Sequence, residues 1–547
     1  MLILASLSGI QDFLFDVRES GGGQARSLRN RSFRIQLMAE CIALRLLDAA
    51  KLPYERLLFS AAGKVCIDAG GLPPDHIIAL RDAAANIQQR LLTEAHGRLR
   101  LSLAIEQSAG SFAEQYQRAN RALAINKLRP LTLSARNAPG RWGEASLVVH
   151  QVWDADAEAE RDAELGRDLV GARWLAIRSS DGASHGSGLH TLGFRVNLEA
   201  DEPAATGGLV SCSNLAEPDT APRYTDRRSF HPRRLARHVP QDEYGQPIEF
   251  LDLAARSRGA PMLAVLKADV DSLGTTIATA LKTADGSEPL KTLSSALDRF
   301  FTETLEAEMT RPNSRWNSIY TVFSGGDDML LVGPWDVMLD FAGRMRRLFD
   351  ERFGDAAHDR PCPTPLTISA GVSIIKPRYP VHLAAQQAEE LLEEAKGRAA
   401  PRAIAPKDQC AALGGLWKWK DHDAIINSGK QLADWVHSGV IQRGWLHTLL
   451  QLALLRRGEA GPEYAGVHPA VATSRLVYHV ARNWPRKRHN PRSDADRAGN
   501  AARDWIDGVL REFDQFDRTT HSQTIHLPVV VRYAMLATRS GGSEDKS

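Results

Sequence analysis

The chain has 547 residues, with a hydrophobic fraction of 43% and a charged fraction of 24%, values typical of a globular protein of three or four domains. Its formal net charge is only +2, which excludes a global positive field that would draw the whole chain to nucleic acid. The five cysteines are scattered without a CxxC pair, so we expect neither a structural zinc site nor a disulfide framework.

The N-terminal apolar run is short and no basic residue precedes it, so it does not have the pattern of a signal peptide. No stretch approaches the roughly 18 apolar residues that a membrane span needs. We therefore expect a cytoplasmic protein with no membrane association. The small, polar tail at 541–547 is expected to be disordered.

Residues 1–130 predict a first domain with the element order βαββαβ and a closing helix, which is the order of a ferredoxin-like or palm domain. Alternating and continuous apolar runs mark the strands, and a period of 3.6 residues marks the helices. The predicted elements are strands at 1–8, 57–60, 65–70 and 99–107 and helices at 32–50, 74–94 and 112–127.

Residues 131–256 show little regular patterning, and we predict an intermediate α+β domain or linker there. The composition of residues 182–188 and 202–208 is typical of loops. Arginines cluster near the end of this segment and in an early helix, and they are candidates for RNA contact, although such clusters are more often solvated or partner-facing surface. They are Arg26, Arg29, Arg31, Arg227, Arg228, Arg233, Arg234 and Arg237.

Residues 257–400 predict a second domain with the same element order as the first. Its strands are predicted at 261–271, 318–323, 329–333 and 366–375, and its helices at 272–282, 293–309, 335–353 and 382–396. Residues 401–547 are then mainly helical in pattern, with tryptophans recurring among leucines, which predicts the core of a helical bundle. The predicted fold class is therefore α+β, with two palms, a linker domain and a C-terminal bundle.

The two predicted palms align with each other in sequence. FSAAGK at 59–64 aligns with FSGGDD at 323–328, and Ser6 aligns with Asp269. From residue 6 to residue 63 is 57 positions, and from 269 to 327 is 58. Each closing helix has a lysine at the corresponding place, Lys127 or Lys396. We interpret the pair as one duplicated palm in which only the second copy kept its acids.

The acids of the second palm are predicted to converge. Asp269 ends the first strand, while Asp327 and Asp328 belong to a GGDD at the tip of a hairpin. In the order βαββαβ the first strand lies beside the hairpin, so we expect these three carboxylates and the backbone carbonyl of Val270 to hold one or two divalent cations. Oxygen ligands of this kind suit Mg²⁺ or Mn²⁺.

Other residues near these acids are expected to contact a nucleoside triphosphate. Gly325 and Gly326 have no Cβ, so phosphates can approach the backbone. The helix start at Ser272 offers backbone N–H groups, and Lys396 is expected to neutralise phosphate charge. Asp271 either joins this site or caps the helix. A solvated helix lysine explains Lys396 equally well, and a lone GGDD is also compatible with an ordinary turn.

The motifs together resemble the large subunit of type III CRISPR effector complexes, and the Csm branch more than the Cmr branch. The resemblance extends over nearly the whole chain. It is carried by SGIQDFLF (8–15), SLRNRSF (27–33), LKADVDSLG (266–274), FSGGDDMLLVG (323–333) and SAGVSI (369–374).

The resemblance implies two palms that face each other with two ATP molecules at their interface, and a cyclic oligoadenylate product that is made when target RNA pairs with the guide. It places catalytic metal ligands on Asp269, Asp327 and Asp328, and a nucleotide contact of the first palm around Ser8 and Gly9. The partners that it implies are guide RNA, target RNA, the subunit that binds the 5′ end of the guide, and small helical subunits that lie along the C-terminal domain.

The chain departs from the family pattern in three places. No histidine precedes His76, and His358-Asp359 and His422-Asp423 are isolated dipeptides, so we predict that the HD nuclease domain of many members and its DNase activity are absent. Cys212 alone cannot form the cysteine zinc module that many members carry between the palms. The family's DVDN-like stretch ends here in Ser272, which changes the residue at the helix start.

Two other functions remain open at this point. The first is a non-catalytic scaffold that holds guide RNA and partner subunits, but a scaffold has no need to keep acids together against their mutual repulsion. The second is a diguanylate cyclase of the GGDEF kind, but Met329 stands where that family has an aromatic residue. The sequence favours an ATP-polymerising nucleotidyltransferase within a ribonucleoprotein.

Overall fold

The computed structural model divides into two compact units. The first comprises Met1–Glu249, Ser272–Met329 and Arg352–Leu366, and the second comprises Phe250–Asp271, Leu330–Glu351 and Thr367–Ser547. The residues that the structure describes are 1–15, 24–61, 63–129, 133, 172–180, 188–204, 208–223, 229–283, 286–355, 357–401, 403–514 and 526–539. Most of the predicted loop 182–188, Arg227, Arg228, the side chain of Arg26 and the tail 541–547 lie outside the described residues.

The first palm has the predicted element order. Its antiparallel sheet has the strand order β2-β3-β1-β4, and a capping box formed by Ser111 and Glu114 starts its closing helix. The strands are β1 (Leu2–Ser8), β2 (Leu57–Ala61), β3 (Lys64–Asp68) and β4 (Arg100–Glu106). The helices are α1 (Ile10–Phe15), α2 (Gln24–Ala50), α3 (Pro74–Glu94) and α4 (Phe112–Lys127).

The segment that follows the first palm is more regular than its sequence suggests. It forms an antiparallel sheet of strand order β6-β7-β5-β8, made of β5 (Trp174–Ser179), β6 (Leu189–Thr191), β7 (Phe194–Glu199) and β8 (Leu209–Asn214). The inward side chains Leu175, Ile177, Phe194 and Val196 pack into one apolar core with the first palm. This sheet therefore belongs to the first unit as part of its core.

The second palm repeats the strand order of the first, and two short strands extend its sheet, giving β10-β11-β9-β12-β13-β14. The strands are β9 (Leu263–Val270), β10 (Tyr320–Gly325), β11 (Asp328–Pro334), β12 (Ile368–Ile375), β13 (Gln409–Ala412) and β14 (Gly415–Lys418). The helices are α5 (Phe250–Ala255), α6 (Leu273–Thr283), α7 (Glu288–Arg299), α8 (Leu305–Thr310), α9 (Trp335–Phe353) and α10 (Val381–Gly397), with a π-helical turn at Phe300–Thr304.

A glycine lets helix α10 approach β12 very closely. A Cβ built on Gly371 would lie 2.3 Å from the backbone oxygen of Ala388 and 2.4 Å from the backbone nitrogen of Leu392. Any side chain at position 371 would therefore push the helix off the sheet. This contact accounts for the glycine of the SAGVSI motif, and it fixes the position of the helix that carries Lys396.

The described C-terminal part of the second unit is mainly helical, and most of its tryptophans are buried, as the sequence predicts, whereas Trp505 is half-buried. Trp417, which lies in β14, is fully buried, and Trp435 and Trp445 belong to helices. The helices are α11 (Trp419–His437), α12 (Gly444–Arg457), α13 (Val471–Asn483), α14 (Asp494–Asp514) and α15 (Leu527–Ala537). Within the described residues, no helix has the length and apolarity that crossing a membrane requires.

Candidate functional site

The GGDD motif forms a tight turn between β10 and β11. Gly325 ends β10 with φ of 157°, Gly326 follows with φ of 70°, and Asp328 begins β11. Both glycines have backbone angles that other residues rarely adopt. A Cβ on Gly325 would meet nothing closer than 3.7 Å, so backbone angle rather than lack of space requires glycine there.

A third acid, Asp298 on α7, supports this turn. Its carboxylate accepts a hydrogen bond from the backbone N–H of Gly326, and its Oδ1 lies 3.7 Å from the Cβ position of Gly325. Burial raises the pKa of Asp298, while Arg233, the hydrogen bond from Gly326 and Arg234 act in the opposite direction. The sequence gives no local signal for this role, because an acid near the end of an amphipathic helix is ordinary.

The turn lines a cavity of about 300 Å³ that lies entirely within the first unit. The second palm contributes residues 323–327, and the matching hairpin of the first palm contributes residues 57–61 and Lys64. Tyr116 on α4 lines it too, and burial, together with the negative charge of Asp327, raises the pKa of Tyr116 to about 12. The two duplicated hairpins thus line one chamber.

The arginines that line the cavity are held by acids of the same unit. Arg233 pairs with the buried Glu40, and the Glu40 carboxylate also accepts the hydroxyl of Tyr54 at 2.8 Å. Arg234 donates to Glu303 at 2.6 Å and to Asp219 at 2.5 Å. These pairs fix both guanidinium groups in the wall of the cavity.

The other described members of the arginine group also make internal contacts. Arg237 donates to the backbone oxygens of Ala172 at 2.8 Å and Leu215 at 3.0 Å. Arg29 donates to the backbone oxygen of Arg237 and Arg31 to that of Phe13, both at 3.0 Å, and both side chains are buried. Their observed role is to hold the first unit together, which argues against the RNA contact considered from the sequence.

In the second unit, Asp269 pairs with Lys396. The Lys396 ammonium contacts Oδ2 of Asp269, and the neighbouring Lys267 pairs with Glu389. Burial, with the charges of Lys407 and Lys267, lowers the pKa of Lys396 to about 8. The sequence suggested that Lys396 binds phosphate, and in this structure its partner is the carboxylate of Asp269.

Asp271 has a role that the sequence did not suggest. Its carboxylate accepts hydrogen bonds from Thr367 Oγ1 and Ser369 Oγ, both at 2.8 Å, and from the backbone N–H of Asp408 at 2.9 Å. Burial raises its pKa, and the three hydrogen bonds act against that shift. Asp271 thus ties the end of β9 to β12 and to the loop before β13, and a nucleotide contact of Asp271 stays a prediction.

The remaining predicted nucleotide contacts lie at turns. Ser272 precedes α6 with φ of 55°, and its backbone oxygen accepts the N–H of Thr275 at 2.9 Å. Gly9 follows Ser8 at the end of β1 with φ of 84°, and a Cβ on Gly9 would lie 1.9 Å from the backbone oxygen of Arg98. Gly9 is thus required by its own turn, and a nucleotide role for Ser8, Gly9 and Ser272 stays a prediction.

The metal site expected from the sequence draws on residues of both units. Within the described residues, no group of three or more His, Cys, Asp and Glu side chains is arranged to hold a metal ion. Asp327 and Asp328 belong to the first unit, whereas Asp269 and the buried Val270 belong to the second. Their donor chemistry still fits a hard cation, and Asp269 already binds the positive charge of Lys396. Convergence of the three carboxylates stays a prediction.

The two His-Asp dipeptides occupy different surroundings. The Nε2 of His422 lies 3.0 Å from the backbone oxygen of Leu339, and its Nδ1 accepts from Trp417 Nε1 at 3.2 Å, so both ring nitrogens are engaged in the core. The carboxylate of Asp423 pairs with Arg347 at 2.7 Å. His358 is exposed. The contacts of His422 and Asp423 give that dipeptide a structural role.

Comparison with known families matches two parts of the chain. Residues 262–405 match the second palm domain of Cas10/Cmr2, and residues 1–137 match domain B of the Csm1 subunit. These segments contain the two palms described above, including the GGDD turn and its counterpart in the first copy.

Two curated relatives carry the name "CRISPR system single-strand-specific deoxyribonuclease Cas10/Csm1 (subtype III-A)". The protein from Mycobacterium tuberculosis is 25% identical over 516 residues, covering 83% of this chain and 59% of the relative. The protein from Thermococcus onnurineus is 26% identical over 436 residues, covering 72% of this chain and 53% of the relative. The chain thus spans somewhat more than half the length of these relatives.

Solved structures share the fold. A Csm1-Csm4 cassette in complex with cA3 superposes with a TM-score of 0.71 at 19% identity, covering 98% of this chain and 69% of that one. A Csm1-Csm4 cassette in complex with AMPPNP gives a TM-score of 0.67 at 20% identity with the same coverage. At this level of identity the comparison establishes the arrangement of the elements and leaves the activity to be argued from the residues.

Proposed function

We propose that this chain, which belongs to the Cas10/Csm1 family of type III-A CRISPR systems, polymerises ATP into cyclic oligoadenylate when its complex binds target RNA. The observation that carries the proposal is the cavity shared by the GGDD turn and the matching hairpin of the first palm. Asp327 lies in its wall beside two glycines that leave the backbone open. A chamber of about 300 Å³ suits a nucleotide-sized ligand.

The reaction is the attack of a ribose 3′-hydroxyl on the α-phosphate of the next ATP. A new phosphorus–oxygen bond forms, the bond to the β-phosphate breaks, the hydroxyl proton is released to solvent, and pyrophosphate leaves. In the last step the terminal 3′-hydroxyl attacks the α-phosphate at the other end of the same chain, which closes the ring. We assign Asp327, Asp328 and Asp269, with the carbonyl of Val270, as holders of Mg²⁺ or Mn²⁺. When bound, such ions lower the pKa of the attacking hydroxyl and stabilise the charge of the departing pyrophosphate.

The chain's own residues supply position and charge. Asp298 holds the N–H of Gly326 and so fixes the turn from which Asp327 reaches the cavity. Lys396 contacts Asp269 and neutralises its carboxylate. A metal ion that competes for Asp269, or a phosphate that competes for Lys396, would separate the pair. Gly325 leaves the floor of the turn without a side chain, so a phosphate can approach the backbone there.

We further propose that the chain works within a ribonucleoprotein. Relatives of the same fold were solved as Csm1-Csm4 cassettes, which supports a Csm4-like subunit as a direct partner. Guide RNA, target RNA and the small helical subunits complete the expected assembly. We expect these contacts to be distributed over four domains, with the predicted limits 1–130, 131–256, 257–400 and 401–547. Absence of HD-type nuclease activity remains our prediction.

The test is product analysis on the assembled complex. The complex is incubated with guide RNA, target RNA, Mg²⁺ or Mn²⁺ and labelled ATP or GTP, and the products are identified by mass spectrometry. Cyclic oligoadenylate that disappears in the double variant Asp327→Ala/Asp328→Ala supports the proposal. No product from an intact complex would leave a scaffold, and a dinucleotide made from GTP would indicate a diguanylate cyclase.

A further inference from the structure

The two hairpins around the cavity have the same frame but opposite charge. Ala61 ends β2 as Gly325 ends β10, and Lys64, three positions further on, begins β3 where Asp328 begins β11. The sequence alignment of the two copies therefore holds in three dimensions. At a matched position, the first copy presents an ammonium group and the second presents a carboxylate.

The two copies also differ around a second pair of matched residues, Lys127 and Lys396. In the second copy, Lys396 is neutralised by Asp269. In the first copy the place of Asp269 is taken by Ser6, whose hydroxyl donates to the backbone oxygen of Leu7. Lys127, the counterpart of Lys396, thus has no carboxylate at that place. Burial and the positive charge of Lys64 lower the pKa of Lys127, so the two lysines act on each other as like charges.

Lys64 also differs from the other cations in the cavity wall. Arg233 and Arg234 are held by acids, and Lys291 lies 3.5 Å from Glu288. Among the residues that the structure describes, no hydrogen bond or ion pair engages the ammonium of Lys64 or of Lys127. Lys64 is exposed, and it lines the same cavity as Asp327. An anion in the cavity would relieve the repulsion between the two lysines.

We infer that Lys64 and Lys127 form a phosphate-binding site of the first palm, which takes the polyphosphate of a nucleotide without a metal ion. The inference rests on the proposed function in that it takes the ligand of the cavity to be a nucleoside triphosphate. The two copies would thus have different roles: the acids of the second copy hold a cation, and Lys64 of the first copy contacts phosphate directly. Lys64 contacts the ligand in the cavity, and Lys127 strengthens the field behind it.

Binding in the presence of EDTA tests this site apart from catalysis. Titration calorimetry on the purified full chain would use ATP, AMP and inorganic tripolyphosphate as ligands. We expect ATP and tripolyphosphate to bind without metal and AMP to bind at least tenfold more weakly than ATP. Lys64→Met should weaken ATP and tripolyphosphate binding by about tenfold or more, Lys127→Met should weaken them less, and neither should change AMP binding.

Three controls keep the result interpretable. Lys64→Arg keeps the charge and should bind within a few-fold of the wild type, and Lys51→Met removes an exposed lysine that does not line the cavity. Asp327→Asn should lose oligoadenylate synthesis and keep metal-free binding, so a failed proposed function and a failed phosphate site give different results. Wild-type affinity in a folded Lys64→Met variant, or no binding of ATP and tripolyphosphate in EDTA, would overturn the inference.

Discussion

Replacing Asp271 should loosen the second unit more than any other single change of an acid near the site. Asp271 is 3% exposed and accepts three hydrogen bonds, from Thr367, Ser369 and the N–H of Asp408. In Asp271→Ala these donors lose their acceptor, and each such loss costs about 1–3 kcal/mol in a protein interior. Burying the carboxylate itself costs desolvation free energy, and the alanine variant no longer has this cost. We therefore expect the free energy of unfolding to fall by a net amount of about 3–5 kcal/mol.

Scanning calorimetry can measure this effect. For a unit of this size, 1 kcal/mol shifts the melting temperature by about 2–4 °C, so Asp271→Ala should lower the transition of the second unit by roughly 6–20 °C. Asp271→Asn keeps one oxygen acceptor and should lose only about a third of that. Hydrogen exchange should quicken at Asp408, whose N–H is released by the alanine variant.

The same variants separate the structural role from a nucleotide contact. If Asp271 only ties β9 to β12 and to the loop at Asp408, Asp271→Asn should bind ATP within about threefold of the wild type. An Asp271→Ala protein that melts within about 2 °C of the wild type would refute the structural reasoning. A well-folded Asp271→Asn protein with strongly weakened ATP binding would instead return Asp271 to the nucleotide site.

Three further outcomes follow from individual contacts. Asp298→Ala should lower oligoadenylate synthesis about 10- to 100-fold in labelled-ATP assays without unfolding the chain. Asp298→Asn keeps an acceptor for the N–H of Gly326, so its synthesis rate should decrease much less. Gly371→Ala should destabilise the second unit by several kcal/mol in calorimetry, because its Cβ would meet the backbone of α10, while Gly397→Ala in open space should be nearly neutral. Burial lowers the pKa of His422. The stability that the neutral ring contributes above the unfolded pKa of about 6.5 is therefore lost as the pH falls through the folded pKa. Between pH 7 and 5, the melting temperature of His422→Gln should decrease less than that of the wild type. Equal pH slopes for His422→Gln and the wild type, an unaltered Gly371→Ala protein, or an Asp298→Ala protein with full activity would each contradict its prediction.

The elements that the sequence predicted well are those with strong internal patterns. The helix predicted at 382–396 is observed as Val381–Gly397, and the apolar run that begins at 261 is observed as the buried strand Leu263–Val270. Long periodic helices and buried strands carry enough apolar residues to be identified without knowledge of their neighbours. The order βαββαβ then follows from the order of these elements along the chain.

The elements that the sequence missed depend on partners that are distant along the chain. β13, Gln409–Ala412, is only four residues long and contains a cysteine and two alanines, which have little preference for strands. It is a strand because its backbone pairs in parallel with β12. The sheet β5–β8 has the same origin, since its apolar side chains complete the core of the first palm.

The residues of the site also fall into those that the sequence identifies and those that only the structure identifies. Asp327 and Asp328 stand out in the sequence because two glycines precede them. Asp298, which supports the turn from helix α7, is identified only in the structure. The sequence indicates Lys396 through its match to Lys127, but its pairing with Asp269 is seen only in the structure. The sequence identifies the arginines near position 233 as a cluster, but it does not show that their acidic partners are Glu40 in α2, Asp219, and Glu303 in the second palm.

The turn itself shows why the second copy can carry an acid at position 327. In the first copy Gly63 has a positive φ of 71°, and a Cβ there would lie 2.6 Å from Ile10. The aligned position in the second copy is Asp327, which is not among the non-glycine residues with positive φ, because the unusual angles fall on Gly325 and Gly326 instead. Because the glycines lie next to β10, position 327 has a backbone that any L residue adopts, and so a carboxylate can stand there. The GGDD order is thus a consequence of turn geometry and of the need for an acid at position 327, and neither requirement alone explains both glycines.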